Sequence, residues 1–242
     1  MEIQPEFLSE RIDSILRLTI NRPRAANAIN ATVAAALVAG LAEAGCDDGI
    51  RAVILTGAGD RAFSAGRDLK NLHNLEPGAF NRQRSAELRA YTEALLEFEK
   101  PLVVALNGIA LGAGLMLALH ADQVIAAEHA TISLPEIDIG IATMLGHALV
   151  AVLAGDGVAN DLVLTGRRVT AAEALHRGLV HAVVPSDRLA TVAEASATML
   201  GAKPIDTFRD VKRWILARRR AAVSTALQAH DMLDASKRRA SG

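Results

Sequence analysis

The sequence contains a single cysteine, Cys46, and only 3% aromatic residues. One thiol cannot close a disulfide within the chain, and it cannot supply the ligand cluster of a structural zinc site. The N-terminal residues lack the basic segment and apolar run of a secretory signal. We therefore expect a protein of a reducing compartment, with the cytoplasm as its location, and we expect no metal site.

Charge of one sign is also lacking, because the formal net charge is −1. Proteins that bind nucleic acid need a basic field, and many of them stack bases on aromatic side chains. The local excess of arginine and lysine at residues 209–220 is interpreted as a solvated helix face. The composition therefore predicts no nucleic-acid partner.

The common nucleotide-binding motifs are absent as well. Gly112 and Gly114 begin a G-x-G pattern, but Leu117 stands where a dinucleotide fingerprint has its third glycine, and no G-x-x-x-x-G-K-[ST] sequence occurs. Residues 101–121 carry no charge and have the length of a membrane span, but Asn107 and the glycines interrupt them. We interpret this run as a strand, a turn and a helix, and we expect no membrane partner.

Apolar residues make up 51% of the chain, which is long enough to bury one sizeable core. Strand-like runs occur at residues 12–20, 52–55 and 102–106. Helical patterns occur at about residues 30–44, 80–98, 144–153, 158–164, 170–176, 187–200 and from 204 onward. Alternation of strands and helices predicts an α/β fold that ends in a helical section.

The uncharged run contains a turn that suits an oxyanion. Gly112-Ala113-Gly114 follows the strand-like run and opens a helical pattern. The first N–H groups of a helix have no intrahelical acceptor, and the macrodipole adds partial positive charge there. Glycine and alanine also let a ligand carbonyl approach the backbone closely. Within residues 101–140, Glu136, which follows Pro135, is the carboxylate that we expect to offer acid–base chemistry.

Five ordered motifs resemble those of a known family. They are NRP at 21–23 with NAIN at 27–30, FSAGRDLK at 63–70, KP at 100–101 with NG at 107–108 and ALGAG at 110–114, PE at 135–136 with Gly140, and LTG at 164–166 with AAEA at 171–174 and GLV at 178–180. In this order and spacing the chain resembles the crotonase family, the enoyl-CoA hydratases and isomerases, over about residues 10–190.

The resemblance implies a fold and a division of the chain. The fold is a crotonase-like spiral of repeated ββα units followed by a C-terminal helical section. Residues 1–195 would form the acyl-CoA-binding core, and residues 196–242 would make the contacts of a homotrimer or a dimer of trimers. Coenzyme A would enter as part of the acyl-CoA substrate, with no separate cofactor.

The resemblance also implies which residues form the site. The backbone N–H groups of Arg67 and Ala113 would stabilise negative charge on the thioester oxygen, and Glu136 would move protons. The substrate-binding positions would be Arg24, Ala25, Ala28, Ala65, Leu69, Lys70, Gly112 and Met116, with Lys70 contacting the nucleotide end of coenzyme A.

Met116 departs from the pattern of the family's hydratases, which carry a second glutamate at this position. Without that group, the addition of water loses one of its two usual proton carriers. A single carboxylate in an apolar pocket can instead move one proton between two carbons of the substrate. We therefore expect the isomerisation of a 3-enoyl-CoA to a 2-enoyl-CoA, with Glu136 as the sole acid and base.

Two alternatives stay open. One is a 2-enoyl-CoA hydratase in which water or His147 replaces the missing glutamate, and the other is a non-catalytic acyl-CoA-binding protein. For the assembly, apolar positions of the last helical pattern offer more surface than one small core needs. They are Trp214, Ile215, Val223, Leu227 and Leu233.

Overall fold

Alternating strands and helices build two β-sheets in the computed structural model, which describes the backbone of residues 4–68 and 79–240. Within these ranges the side chains are described except at 79–85, 234 and 237–240. The predicted substrate-binding residues Leu69 and Lys70 therefore lie outside the described residues.

The strands are short and most of them are buried. They are β1 (Phe7–Ile12), β2 (Ile15–Ile20), β3 (Ala52–Gly57), β4 (Ala62–Ser64), β5 (Leu102–Leu106), β6 (Ile109–Leu111), β7 (Gln123–Ala127), β8 (Thr131–Ser133), β9 (Val169–Thr170) and β10 (Ala182–Val184).

Eight α-helices connect and cover these strands in the described part of the chain. They are α1 (Ala31–Cys46), α2 (Ala79–Glu97), α3 (Ala113–Ala118), α4 (Met144–Ala154), α5 (Asp156–Thr165), α6 (Ala171–His176), α7 (Leu189–Gly201) and α8 (Ile205–Ala240). The described residues also form short 3-10 helices at Pro23–Ala25, Pro135–Ile139 and Ser186–Arg188.

The strands are distributed between the two sheets in a repeating way. The larger sheet has the order β1-β2-β3-β5-β7-β10, and the smaller sheet has the order β4-β6-β8-β9. Pairing is parallel throughout, except that β1 is antiparallel to β2 and β9 is antiparallel to β8. Three consecutive strand pairs, β3–β4, β5–β6 and β7–β8, thus each place one strand in each sheet. This repetition of ββα units confirms the predicted fold class.

Local sequence signals explain several element ends. The Asn30 side chain accepts a hydrogen bond from Val33 N and caps α1, and the Thr170 side chain caps α6 by accepting from Glu173 N. The single strand predicted at residues 12–20 is wrong at its start. The chain turns at Asp13, which has a positive φ of 52°, so that two strands form a hairpin.

Helix α8 is anchored to its own core by buried cations. Lys212 Nζ donates to Lys100 O at 2.6 Å and to Asp122 Oδ2 at 2.7 Å. Arg219 Nη1 donates to His120 O at 2.8 Å. Lys212 and Arg219 were predicted to belong to a solvated face, but both are buried. Burial lowers the pKa of Lys212, while the neighbouring Asp122 carboxylate opposes that shift.

The apolar positions of α8 divide into two groups. Val223 and Leu227 are buried in the core of the same chain, whereas Trp214 is 80% exposed and Ile215 is 49% exposed. An exposed tryptophan of this kind suits a contact with another subunit. Assembly into trimers stays a prediction, which light scattering at micromolar concentration would test. No described helix is both long and apolar enough to cross a membrane.

His120 makes the free energy of unfolding depend on pH. The side chain is buried, neither ring nitrogen has a hydrogen-bond partner among the described residues, and burial, together with Arg219, lowers its pKa from 6.5 to about 3. Between pH 6.5 and pH 3 His120 is protonated in the unfolded chain but neutral in the folded chain. The free energy of unfolding therefore falls as the pH drops below 6.5. At pH 5 the loss from this group is about 2 kcal/mol relative to pH 8.

We expect His120→Leu to reduce this acid sensitivity, because leucine fills a similar volume and does not titrate. The difference in unfolding free energy between pH 8 and pH 5, measured with urea, should shrink by about 2 kcal/mol. The exposed His176 provides a matched control, since His176→Leu should keep the difference of the unmodified protein. An unchanged difference in His120→Leu would contradict the assignment.

Candidate active site

The carboxyl ends of three neighbouring strands of the smaller sheet meet at one cavity. Ala65, Gly66 and Arg67 follow β4, Gly112 and Ala113 follow β6, and Pro135 and Glu136 follow β8. All seven line a cavity of about 170 Å³. Because β4, β6 and β8 are parallel neighbours, segments far apart in sequence are brought to the same edge of the sheet.

Two glycines let the strand ends approach one another. Gly112 has φ 51° and ψ −122°, a conformation that residues with a side chain rarely adopt. A Cβ added to Gly112 would lie 2.7 Å from Glu136 Oε1, and one added to Gly66 would lie 2.7 Å from Leu111 O. The absence of a side chain at both positions is therefore required by the packing of the site.

The two predicted oxyanion donors lie on adjacent segments. The position of a Cβ on Gly66 is 3.4 Å from Ala113 N, so the chain leading into Arg67 runs beside the first amide of α3. No hydrogen bond within the described residues uses the Ala113 N–H. Ile29 N donates to Gly66 O, and Asp68 N donates to Ile29 O. Arg67 lies between these two bonds in a parallel bridge, so its N–H points away from Ile29. Their role as donors stays a prediction.

Glu136 is held as a buried carboxylate. It is 9% exposed and lies in the first turn of the 3-10 helix Pro135–Ile139, over the Gly112 turn. Proline at the first position of that helix fixes the entry angle of the chain. Asp138 projects elsewhere, since its carboxylate lies 2.8 Å from the Cβ position of Gly166. Asp138 therefore does not line the cavity, although it follows Glu136 by only two residues.

Met116 lies in the same wall of the cavity. It is 6% exposed, one turn into α3, so its thioether lines the cavity together with Glu136. Glu136 is the one carboxylate among the described residues of that lining. The remaining lining is mostly apolar, whereas Ile137, the residue after Glu136, is 43% exposed and does not line this cavity.

The Arg67 side chain has a structural partner. Arg67 Nη2 donates to Glu87 Oε2 of α2 at 2.8 Å, and the two side chains are only 12% and 19% exposed. An ion pair shielded to this degree fixes α2 against the loop that follows β4. Sequence reasoning left this guanidinium without a role, and Glu87 was not singled out.

The predicted coenzyme A path lies beside the cavity. Ala65 N donates to Ala26 O at 2.9 Å, which holds the segment of Arg24, Ala25 and Ala28 next to the loop after β4. Arg22 fastens the same segment, because it donates to Ala28 O at 2.6 Å and to Asp68 at 2.7 Å. Arg24 itself is exposed. Contact of these residues with coenzyme A stays a prediction.

One histidine considered for the site lies outside it, and another that was not considered lines it. His147 does not line the cavity of Glu136 but bonds Asn160 at 3.0 Å on the side of a second cavity. His230 of α8 lines the cavity of Glu136, although nothing in the sequence pattern marked it. His230 lies almost a hundred residues from Glu136, so only the docking of α8 brings the two together. No group of metal-binding side chains occurs among the described residues.

The chain matches known proteins over most of its length. A family model described as enoyl-CoA hydratase/isomerase matches residues 10–239. A putative enoyl-CoA hydratase/isomerase of Bacillus subtilis is 41% identical over 191 residues, which are 78% of this chain and 73% of the relative. A 2,3-dehydroadipyl-CoA hydratase of Escherichia coli is 39% identical over 183 residues, 75% and 70% of the two chains. A carnitinyl-CoA dehydratase of Salmonella arizonae is 38% identical over 200 residues, 79% and 73%.

Solved structures give the same result. A crystal structure of an enoyl-CoA hydratase/isomerase from Pseudoalteromonas atlantica superimposes with a TM-score of 0.85 at 32% identity, covering 96% of this chain and 90% of the other. The fold and the cavity thus define an enzyme of the crotonase class. The chain belongs to the enoyl-CoA hydratase/isomerase family, as the resemblance of its motifs implied.

Proposed function

We propose that the protein isomerises 3-enoyl-CoA thioesters to 2-enoyl-CoA thioesters, with Glu136 as the carrier of the proton. One observation supports this most strongly: Glu136 shares the cavity with Met116, and the described lining has no second carboxylate. A reaction that moves a single proton within one substrate needs one such group, whereas the addition of water uses two.

The proton and the electrons balance in this reaction. Glu136 takes a proton from C2 of the substrate, and the electron pair spreads onto the thioester oxygen, where the N–H groups of Arg67 and Ala113 would stabilise the charge. Removal of one such donor typically costs about 3 kcal/mol of transition-state stabilisation. Glu136 then gives the proton to C4. The double bond moves from C3=C4 to C2=C3, and the enzyme returns to its starting state.

A product assay with matched 3-enoyl and 2-enoyl thioesters tests the proposal. We expect conversion of the 3-enoyl substrate to the 2-enoyl product and slow addition of water to the latter. Rapid formation of a 3-hydroxyacyl product, together with no isomerisation, would refute the proposal. Failure to turn over either class while acyl-CoA still binds would instead support the non-catalytic alternative.

Hydration is the second candidate, and His230 is the observation that favours it. This side chain is the one histidine among the described residues of the cavity lining, so it could take the proton from water while Glu136 serves C2. Relatives of the chain are named as a hydratase and a dehydratase. The alternative with His147 as the second group is not supported, since His147 lies on the second cavity.

Met116→Glu should raise hydration relative to isomerisation, because it restores a second carboxylate at the cavity. Met116 is 6% exposed, so the new charge should also lower the free energy of unfolding by a few kcal/mol. The first effect is measured with a 2-enoyl and a 3-enoyl thioester of the same chain length, as the rate of hydration of the former divided by the rate of isomerisation of the latter. Met116→Gln is the matched control, since it adds polarity and length without a proton carrier. Equal rate ratios in both variants would contradict the prediction.

A further inference from the structure

Thr143 lies in a wall shared by two cavities. The residues 141–144 line both the cavity of Glu136 and a larger, more open one of about 800 Å³ to which α4, α5 and α8 contribute residues. Besides Thr143, the described polar side chains of the larger cavity already have partners. His147 bonds Asn160, and Thr225 Oγ1 donates to Ala221 O at 3.1 Å. A chain that runs from Glu136 into the larger cavity passes the shared segment 141–144, which contains Thr143.

The Thr143 hydroxyl is buried and has no hydrogen-bond partner within the described residues. The residue is 8% exposed. Thr143 precedes α4 as its N-cap, where a threonine normally accepts from the first turn of the helix. Its ψ of 68° departs from the extended value of a capping residue, and the side chain makes no capping bond. A buried hydroxyl left in this state costs about 1–3 kcal/mol unless a ligand pairs with it.

The first turn of α4 adds donors beside this hydroxyl. The first intrahelical bond runs from His147 N to Thr143 O at 3.1 Å. The amides of Met144, Leu145 and Gly146 precede it, and no acceptor for them occurs among the described residues. Thr143 Oγ1 lies over this turn, 2.7 Å from the Cβ position of Gly146. The end of an eleven-residue helix therefore combines unused amides, partial positive charge and a buried hydroxyl.

This set of groups suits an oxygen that mainly accepts hydrogen bonds. Amides only donate, and the hydroxyl can donate as well. A water molecule would also have two protons to place, and Glu136 is the one carboxylate among the described residues that line the two cavities. A carboxylate or hydroxyl oxygen carried by a bound acyl chain brings few protons or none. Such an oxygen is also covalently attached to a substrate that the thioester group already anchors in the site.

We propose that Thr143 and the first turn of α4 bind an oxygen on the acyl chain beyond the carbons that Glu136 serves. The preferred substrates are then acyl-CoA thioesters whose chain carries a carboxylate or a hydroxyl, and Thr143 sets this specificity. The proposal rests on the proposed function only in taking the bound ligand to be an acyl-CoA thioester. It does not depend on which reaction follows.

Binding of saturated thioesters tests the proposal without any turnover. Calorimetry compares acyl-CoAs of four, six and eight carbons in three forms: unsubstituted, with a terminal hydroxyl and with a terminal carboxylate. We expect an oxygen-bearing form to bind at least about tenfold tighter than its unsubstituted partner at one chain length. The two substituted series identify whether the oxygen belongs to an alcohol or to a carboxylate.

Variants then assign the effect to the hydroxyl. Thr143→Val keeps the shape and should reduce the affinity ratio by about tenfold, whereas Thr143→Ser should retain it. Thr225→Val, in the wall of the same larger cavity, should keep the ratio because the Thr225 hydroxyl is already bonded. No preference for any oxygen-bearing chain, or a preference that Thr143→Val leaves intact, would overturn the proposal. These affinity ratios are measured with saturated thioesters, so they can be determined even if the protein has no isomerase activity.

Discussion

Glu136→Gln is expected to lower the turnover of 3-enoyl-CoA isomerisation by about two to four orders of magnitude. Glutamine has almost the same size as glutamate, so it can occupy the space over the Gly112 turn. It cannot accept the proton from C2, and therefore the step that starts the reaction is lost. The affinity for acyl-CoA should change little, because the substitution removes basicity and leaves the cavity in place.

The neighbouring Asp138 provides a matched control. It lies on the same 3-10 helix as Glu136, but its carboxylate faces Gly166 and does not line the cavity. Asp138→Asn should therefore retain turnover, while Glu136→Gln loses it. Steady-state rates give turnover, and calorimetry with a saturated thioester gives affinity. Isomerisation that survives Glu136→Gln would show that another group carries the proton.

The sequence predicted the longer elements well because their patterns extend over several residues. β5 has the predicted bounds, and α1 (Ala31–Cys46) differs by one or two residues at each end from the helical pattern predicted at about residues 30–44. The strands β4, β6 and β8 of the smaller sheet were not predicted. Each has three residues, too few for an alternation of apolar and polar positions to appear. Their presence was implied only by the resemblance to a family.

The candidate site likewise contains residues that local motifs mark and residues that only the packing of the fold brings there. Glu136, Ala113 and Arg67 were predicted through motifs that resemble those of a family, and all three line one cavity, while their roles stay predictions. His230 was missed because its place depends on how α8 docks, which rests on buried contacts such as that of Lys212 with Asp122. The role proposed for Thr143 was not predicted, because it rests on an absent capping bond. A sequence reports the residue type but not whether a hydroxyl finds a partner.

Gly112→Ala is expected to lower isomerase turnover by at least about a hundredfold. The new Cβ would lie 2.7 Å from Glu136 Oε1, and the flexible carboxylate should yield more readily than the backbone. A displacement of a catalytic group by about 1 Å can cost this much in rate. The backbone adds a second effect, since φ 51° with ψ −122° disfavours any side chain and should cost about 1–3 kcal/mol of stability.

Gly155→Ala separates these two effects. Gly155 has φ 87° and ψ 163°, also a conformation that favours glycine, but a Cβ there would meet nothing within 4 Å and it does not line the cavity of Glu136. We expect both variants to lose a similar free energy of unfolding, measured with urea, while only Gly112→Ala loses turnover. If the two variants lose turnover equally, the loss reflects backbone strain. If Gly112→Ala alone is inactive while still folded, the position of the Glu136 carboxylate limits the reaction, because the alanine at residue 112 acts on that carboxylate directly.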